Sequence, residues 1–214
     1  MLEPQLWFVP PELPDQPLLA VLSAHEIAWG EALPALRRRP YWRSRGALRQ
    51  GLAQVLQLAP AAVPLHSPPG APPQLPQGLG WLSLSHGGEA ALLAWSSQPV
   101  GVDLERADRP FAAAAVMQRF FAAAEQRQLQ PLAGEALRQA VLRSWICKEA
   151  AIKWRRRSLA AELSAWWLDH GSGTLCHGGD GTVVTPIEGD WEGWCWAWVG
   201  AGAERVQPKP LTWR

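Results

Sequence analysis

No stretch of this 214-residue chain approaches the roughly 18 consecutive apolar residues that a membrane-crossing helix needs. Its amino terminus carries Glu3, Pro4 and Gln5 where a secretory leader would place a basic segment and then an apolar one. The expectation is a soluble, cytoplasmic protein with no membrane partner. Cysteine is scarce. Cys147, Cys176 and Cys195 are odd in number and lack CxxC spacing, which argues against a disulfide framework or a zinc or redox site and for three reduced thiols. An excess of one charge is missing as well. The net charge of +1 excludes a strong global field, no nucleic-acid partner is expected, and only Arg37–Arg39 and Arg155–Arg157 concentrate positive charge locally. No repeat at a fixed short period is visible.

What is present supports a globular protein. A hydrophobic content of 48% in a chain of this length can bury a sizeable core, as one large domain or as two subdomains of about 100 residues. The fourteen tryptophans suit core and interface packing. Leu48, Leu52, Val55 and Leu56 keep helical spacing within a segment from Tyr41 to Leu58. Seven prolines between Pro60 and Pro76 predict an extended connection. Three short strands follow at Trp81 to Ser85, Ala90 to Trp95 and Val100 to Glu105, separated by Gly-, Ser- and Pro-containing turns, and their adjacency predicts an antiparallel meander. Helical patterns at Phe111 to Leu129 and Glu135 to Trp154 precede strand candidates near Trp166 to Leu168, Thr182 to Val184 and Trp194 to Val199. Each half thus offers helix followed by strands. The expected division is residues 1–97 and 98–214.

The chemistry concentrates in two acidic segments. In Gly101-Val102-Asp103-Leu104-Glu105, apolar residues alternate with the acids, so a strand would bury one face and project both carboxylates from the other. In the helix ending at Trp154, positions Val141, Leu142, Trp145, Ile146 and Ile152 fall within an arc of roughly 140°, and Glu149 and Lys153 fall inside it. Charges on an apolar face need partners, because a carboxylate taken out of water costs several kcal/mol unless paired or bound to metal. A magnesium pyrophosphate would answer both. An i,i+4 Glu to Lys pair worth about 0.2–0.5 kcal/mol is the plain alternative.

These residues resemble the 4'-phosphopantetheinyl transferase superfamily, and by length and motif order its surfactin-synthetase-activating type. Ser83-Leu84-Ser85-His86 is similar to the family's serine and histidine motif, Gly101 to Glu105 to its GVD-x-E strand, and Trp145 to Lys153 to its W-x-x-KE-x-x-x-K helix. Phe120-Phe121 with Glu125 resembles the F-x-x-x-E segment, and Arg45-Gly46-Ala47-Leu48-Arg49 the RG-x-LR helix. The resemblance implies an α+β fold in which two similar α/β subdomains, each a helix on a small, mostly antiparallel sheet, are related by a pseudo-twofold, with the site in the cleft between them. It implies transfer of phosphopantetheine from coenzyme A to a serine of an acidic acyl or peptidyl carrier protein, in fatty acid, polyketide or nonribosomal peptide synthesis. Asp103, Glu105 and Glu149 would bind magnesium. Glu149 would also act as base, Lys153 would stabilise the leaving phosphate, and Ser85, His86, Arg45 and Gly46 would contact coenzyme A. Arg37–Arg39 are a second source of phosphate-binding charge, and Arg155–Arg157 are positioned to attract the carrier. Where the family carries G-K-P, this chain has Gly70-Ala71-Pro72, which removes one phosphate contact. The same carboxylates and lysine would also serve a magnesium-dependent phosphohydrolase or nuclease, and a carrier-binding relative without activity is the third alternative. Two halves completing one site in a single chain favour a monomer.

Overall fold

The computed structural model describes residues 2–202 and 206–211, which form two compact α+β units, one of residues 2–99 with 206–211 and one of residues 100–202. Among the described residues no helix is long and apolar enough to cross a membrane.

In the first unit, strand β1 (Gln5–Val9) lies beside β3 (Ala90–Ser96), which forms a hairpin with β2 (Trp81–Gly87). Gly88 opens that hairpin's two-residue turn at φ +58°, a conformation glycine adopts without steric penalty. Helices α1 (Gln16–Leu19), α2 (Ala24–Glu31) and α3 (Ala35–Leu56) complete the unit. Leu18, Ala47, Leu48 and Leu52 pack with Trp7, Leu93 and Trp95 in its core. α2 begins in a reciprocal capping box: the Glu26 N–H donates to Ser23 Oγ, and the Ser23 N–H donates to Glu26 Oε2 at 2.8 Å. The proline-rich stretch runs as an extended connection after one short 3-10 turn, with a bridge between His66 and Gln74. Arg49 anchors it, donating to the carbonyls of Pro60, Ala61 and Val63 while its Nε pairs with buried Glu26 at 2.7 Å.

The closing stretch departs from the expected division. β10 (Lys209–Pro210) adds to β1 in parallel, the Leu211 N–H donates to the Phe8 carbonyl, and Leu211 enters the first unit's core.

The second unit opens with β4 (Val100–Arg106) and continues through α4 (Ala113–Phe120), α5 (Ala123–Leu129), α6 (Gly134–Trp154) and α7 (Leu159–Glu162). β5 (Trp166–Asp169), β6 (Thr174–His177) and β7 (Val183–Val184) make one antiparallel sheet; β8 (Ile187–Trp191) and β9 (Trp194–Gly200) make the other with β4, in the order β4-β9-β8. The predicted three-strand meander therefore stops at β3. β4 pairs instead with β9 across seven residues, from Val100↔Gly200 to Arg106↔Trp194. α6 lies against β4 and β9, with Ile146, Ala150, Ala151 and Ile152 packed among Trp166, Leu168, Ala197 and Val199. The predicted helix at Phe111 to Leu129 is two, broken at Phe121-Ala122.

Candidate active site

One glycine brings the two acidic segments together. A Cβ built on Gly101 would stand 1.9 Å from the Ala150 carbonyl oxygen and 2.3 Å from the Trp154 nitrogen, so α6 crosses β4 at a distance only glycine allows. Asp103 and Glu105 share that face of the strand, and on the helix above them stand Glu149 and Lys153. Lys153 Nζ lies 2.6 Å from Asp103 Oδ1 and 3.4 Å from Glu149 Oε2, while Glu105 pairs with Arg109. The strand is buried on both faces: Asp103 is 2% exposed, and Val100, Val102 and Leu104 are buried too.

Burial and mutual repulsion set the protonation chemistry. Desolvation, then the Asp103 charge, push Glu149 up to about 7, with Lys153 pulling the other way. The same two causes raise Glu105, against Arg109 and Lys153. Burial alone would depress Lys153, but Asp103 and Glu149 outweigh it and hold its ammonium above the usual lysine range. The arrangement thus offers a carboxylate poised to take a proton near neutrality beside a fixed positive charge. Three carboxylates on one face are also the hard oxygen donors that a divalent cation takes. As placed, they do not converge, and among the described residues no three His, Cys, Asp or Glu side chains form a ready-made metal cage. Asp103 and Glu149 turn to Lys153, and Glu105 to Arg109, because each acid takes the nearest cation.

A second charge pair lies wholly inside. Lys148 and Glu125 are both fully buried and form an ion pair; the ammonium sits 3.5 Å from the Phe121 ring centroid, and Glu125 accepts the Leu168 N–H at 3.3 Å. Burial pushes Lys148 down to about 8, with Glu125 pulling it back. The resemblance included both residues, Glu125 in the F-x-x-x-E segment and Lys148 as the first lysine of W-x-x-KE-x-x-x-K, but gave Lys148 no role and did not pair the two. It also missed Arg109, whose only signal is its i,i+4 spacing from Glu105.

The coenzyme A candidates of the first unit divide. Ser85 and His86 sit on β2 opposite Leu92 and Ala91, Ser85 buried and His86 exposed. Arg45 and Gly46 have structural duties. Arg45 is buried, with its Nε donating to the Ser67 carbonyl, its Nη1 to Ser44 Oγ, and its guanidinium 4.2 Å over the Tyr41 ring. A Cβ on Gly46 would meet the Leu18 carbonyl oxygen at 2.1 Å, so this glycine serves the close approach of α1 to α3. In the first basic cluster, Arg38 donates to the Glu31 and Leu33 carbonyls and Arg39 pairs with Asp15 and Glu89. In the second, Arg155 pairs with Asp180 at 2.6 Å, and the run ends α6 in a Schellman turn: Arg156 has φ +53° and the Arg157 N–H donates to the Ile152 carbonyl.

A family model for the 4'-phosphopantetheinyl transferase superfamily matches residues 99–201, a stretch that includes Asp103, Glu105, Glu149 and Lys153. A protein of Synechocystis sp., provisionally named a 4'-phosphopantetheinyl transferase, is 30% identical over 172 residues, covering 76% of this chain and 68% of the relative. The 4'-phosphopantetheinyl transferase HetI of Nostoc sp. is 32% identical over 162 residues, covering 71% and 68%.

Proposed function

The chain belongs to the 4'-phosphopantetheinyl transferase superfamily, and we propose that it transfers the phosphopantetheine group of coenzyme A to a serine hydroxyl of an apo acyl or peptidyl carrier protein, releasing adenosine 3',5'-bisphosphate. The observation that carries this reading is the meeting of Asp103, Glu105, Glu149 and Lys153 on β4 and α6 within the family-matched stretch. Chain length and motif order favour the surfactin-synthetase-activating type.

Each residue has a part that follows from its surroundings. In the metal-free protein burial and the Asp103 charge push Glu149 up to about 7; a carboxyl of that basicity would accept the serine proton as the oxygen attacks phosphorus, and magnesium bound beside it would draw that basicity back down. Lys153, held cationic by two carboxylates, stabilises the charge that develops on the departing bisphosphate. Asp103 fixes the Lys153 ammonium at 2.6 Å. The donor set fits magnesium, which prefers hard carboxylate and phosphate oxygens, and Asp103, Glu105 and Glu149 would hold it. Bound there, the ion would supply neutralising charge to the pyrophosphate. Ser85 and His86 are the candidates for phosphate contact in the first unit.

Release of adenosine 3',5'-bisphosphate tests the reading. We expect release from coenzyme A only when an apo carrier protein and magnesium are both present, in a one-to-one ratio with carrier modified. Release without a carrier would identify a hydrolase instead.

A further inference from the structure

Two cations touch the carboxylate group, and they are held very differently. Lys153 is three-quarters buried and bound by two acids. Arg109 extends from the turn after β4, is 45% exposed, and holds the single carboxylate of Glu105. Its backbone is fixed, the N–H donating to the Arg106 carbonyl at 3.1 Å and its own carbonyl accepting from Arg138, whereas among the described residues its guanidinium rests against Glu105 and, at 5.9 Å, the Phe111 ring. A half-exposed ion pair contributes at most about 1 kcal/mol. Of the two cations, Arg109 is the more exposed and is held by one acid where Lys153 is held by two.

We propose that Arg109 is an exchangeable clamp: it neutralises Glu105 until a divalent cation takes that carboxylate, and the released guanidinium then grips the pyrophosphate of coenzyme A. This rests on the transferase reading above. A guanidinium is suited to the second task because its planar fork matches phosphate oxygens with two parallel hydrogen bonds, which an ammonium cannot do. The consequence is a pair of opposite effects in one residue. Arg109 competes with the metal for Glu105 and assists the substrate, so the metal and coenzyme A should each promote the other's binding through it.

Isothermal titration of the full chain with magnesium alone, and with coenzyme A in magnesium or in EDTA, tests this on Arg109→Gln, Arg109→Lys and, as control, Arg106→Gln, which alters the neighbouring Arg106–Asp108 pair. Arg109→Gln should bind magnesium more tightly than wild type and coenzyme A about tenfold more weakly when magnesium is present, with a much smaller loss in EDTA. Arg109→Lys should recover part of the coenzyme A binding, and Arg106→Gln should match wild type throughout. A structural ion pair would give the reverse for the metal, since a loosened Glu105 binds it less well. Tighter magnesium binding with unchanged coenzyme A affinity would reduce Arg109 to a bystander charge. Either result overturns the proposal. Wild-type protein that binds coenzyme A yet modifies no carrier would sink the transferase reading and leave the clamp standing.

Discussion

Glu149 is a carboxyl whose surroundings resist its ionisation, which has a measurable consequence in metal-free buffer. Unfolded, it ionises near 4.5; folded, near 7. Between those values the folded chain binds the extra proton, so this residue lowers folding stability as pH rises through the window, and the loss is complete above it. Glu149→Gln should therefore match wild type near pH 4 and be more stable by about 1–3 kcal/mol at pH 8, while losing turnover. Denaturant melts at several pH values check this, and a parallel pair of curves would contradict it. At the same scale, Lys148 and Glu125 depend on each other. Lys148→Met strands a buried carboxylate and should cost about 3–5 kcal/mol. Lys148→Met with Glu125→Gln keeps the Leu168 N–H acceptor and removes the unpaired charge, so it should recover much of that loss. The inward-facing Glu149 and Lys153 were legible because they break an apolar arc. The part played by Lys148 was not, because it lies beside that arc and its partner lies 23 positions earlier on another helix.

The elements show the same division between local and distant signals. Strand β4 was readable from its alternation, yet alternation alone predicts one covered face, and the structure covers both. The clue was Gly101, whose missing side chain admits α6. Gly101→Ala forces a methyl group into the Ala150 carbonyl and should separate strand from helix. We expect destabilisation by about 3 kcal/mol and a loss of kcat exceeding that of a stability-matched core variant elsewhere, measured by carrier modification below the melting range. Strand partners were less legible. β4 follows β3 closely in sequence but pairs with β9, roughly ninety residues later, because both edges of β3 are already taken by β1 and β2 while the Trp-rich β9 offers a seven-residue ladder. β8, with the sequence Ile-Glu-Gly-Asp-Trp, went unread because Glu, Gly and Asp are poor strand formers and its pairing with β9 overrides them.

At the scale of the molecule, the α+β architecture with small, mostly antiparallel sheets was legible from the order of periodic segments, and the closing strand β10 was not, since two residues carry no pattern. The catalytic candidates lie in the unit that the family model covers, while Ser85 and His86 belong to the other. Arg45 and Gly46, which the resemblance assigns to coenzyme A, pack within their own unit, Arg45 buried and Gly46 at the close approach of α1 to α3. Family membership comes from the relatives and the matched stretch; the chemistry proposed for the site comes from a strand and a helix that place one poised base against one fixed cation. Intact mass of apo acyl and peptidyl carrier proteins, incubated with this protein, coenzyme A and magnesium, tests that claim most directly. We predict a gain equal to one phosphopantetheinyl group, abolished by EDTA and by Glu149→Gln. A gain that survives Glu149→Gln undiminished, or none with any carrier, would contradict the account.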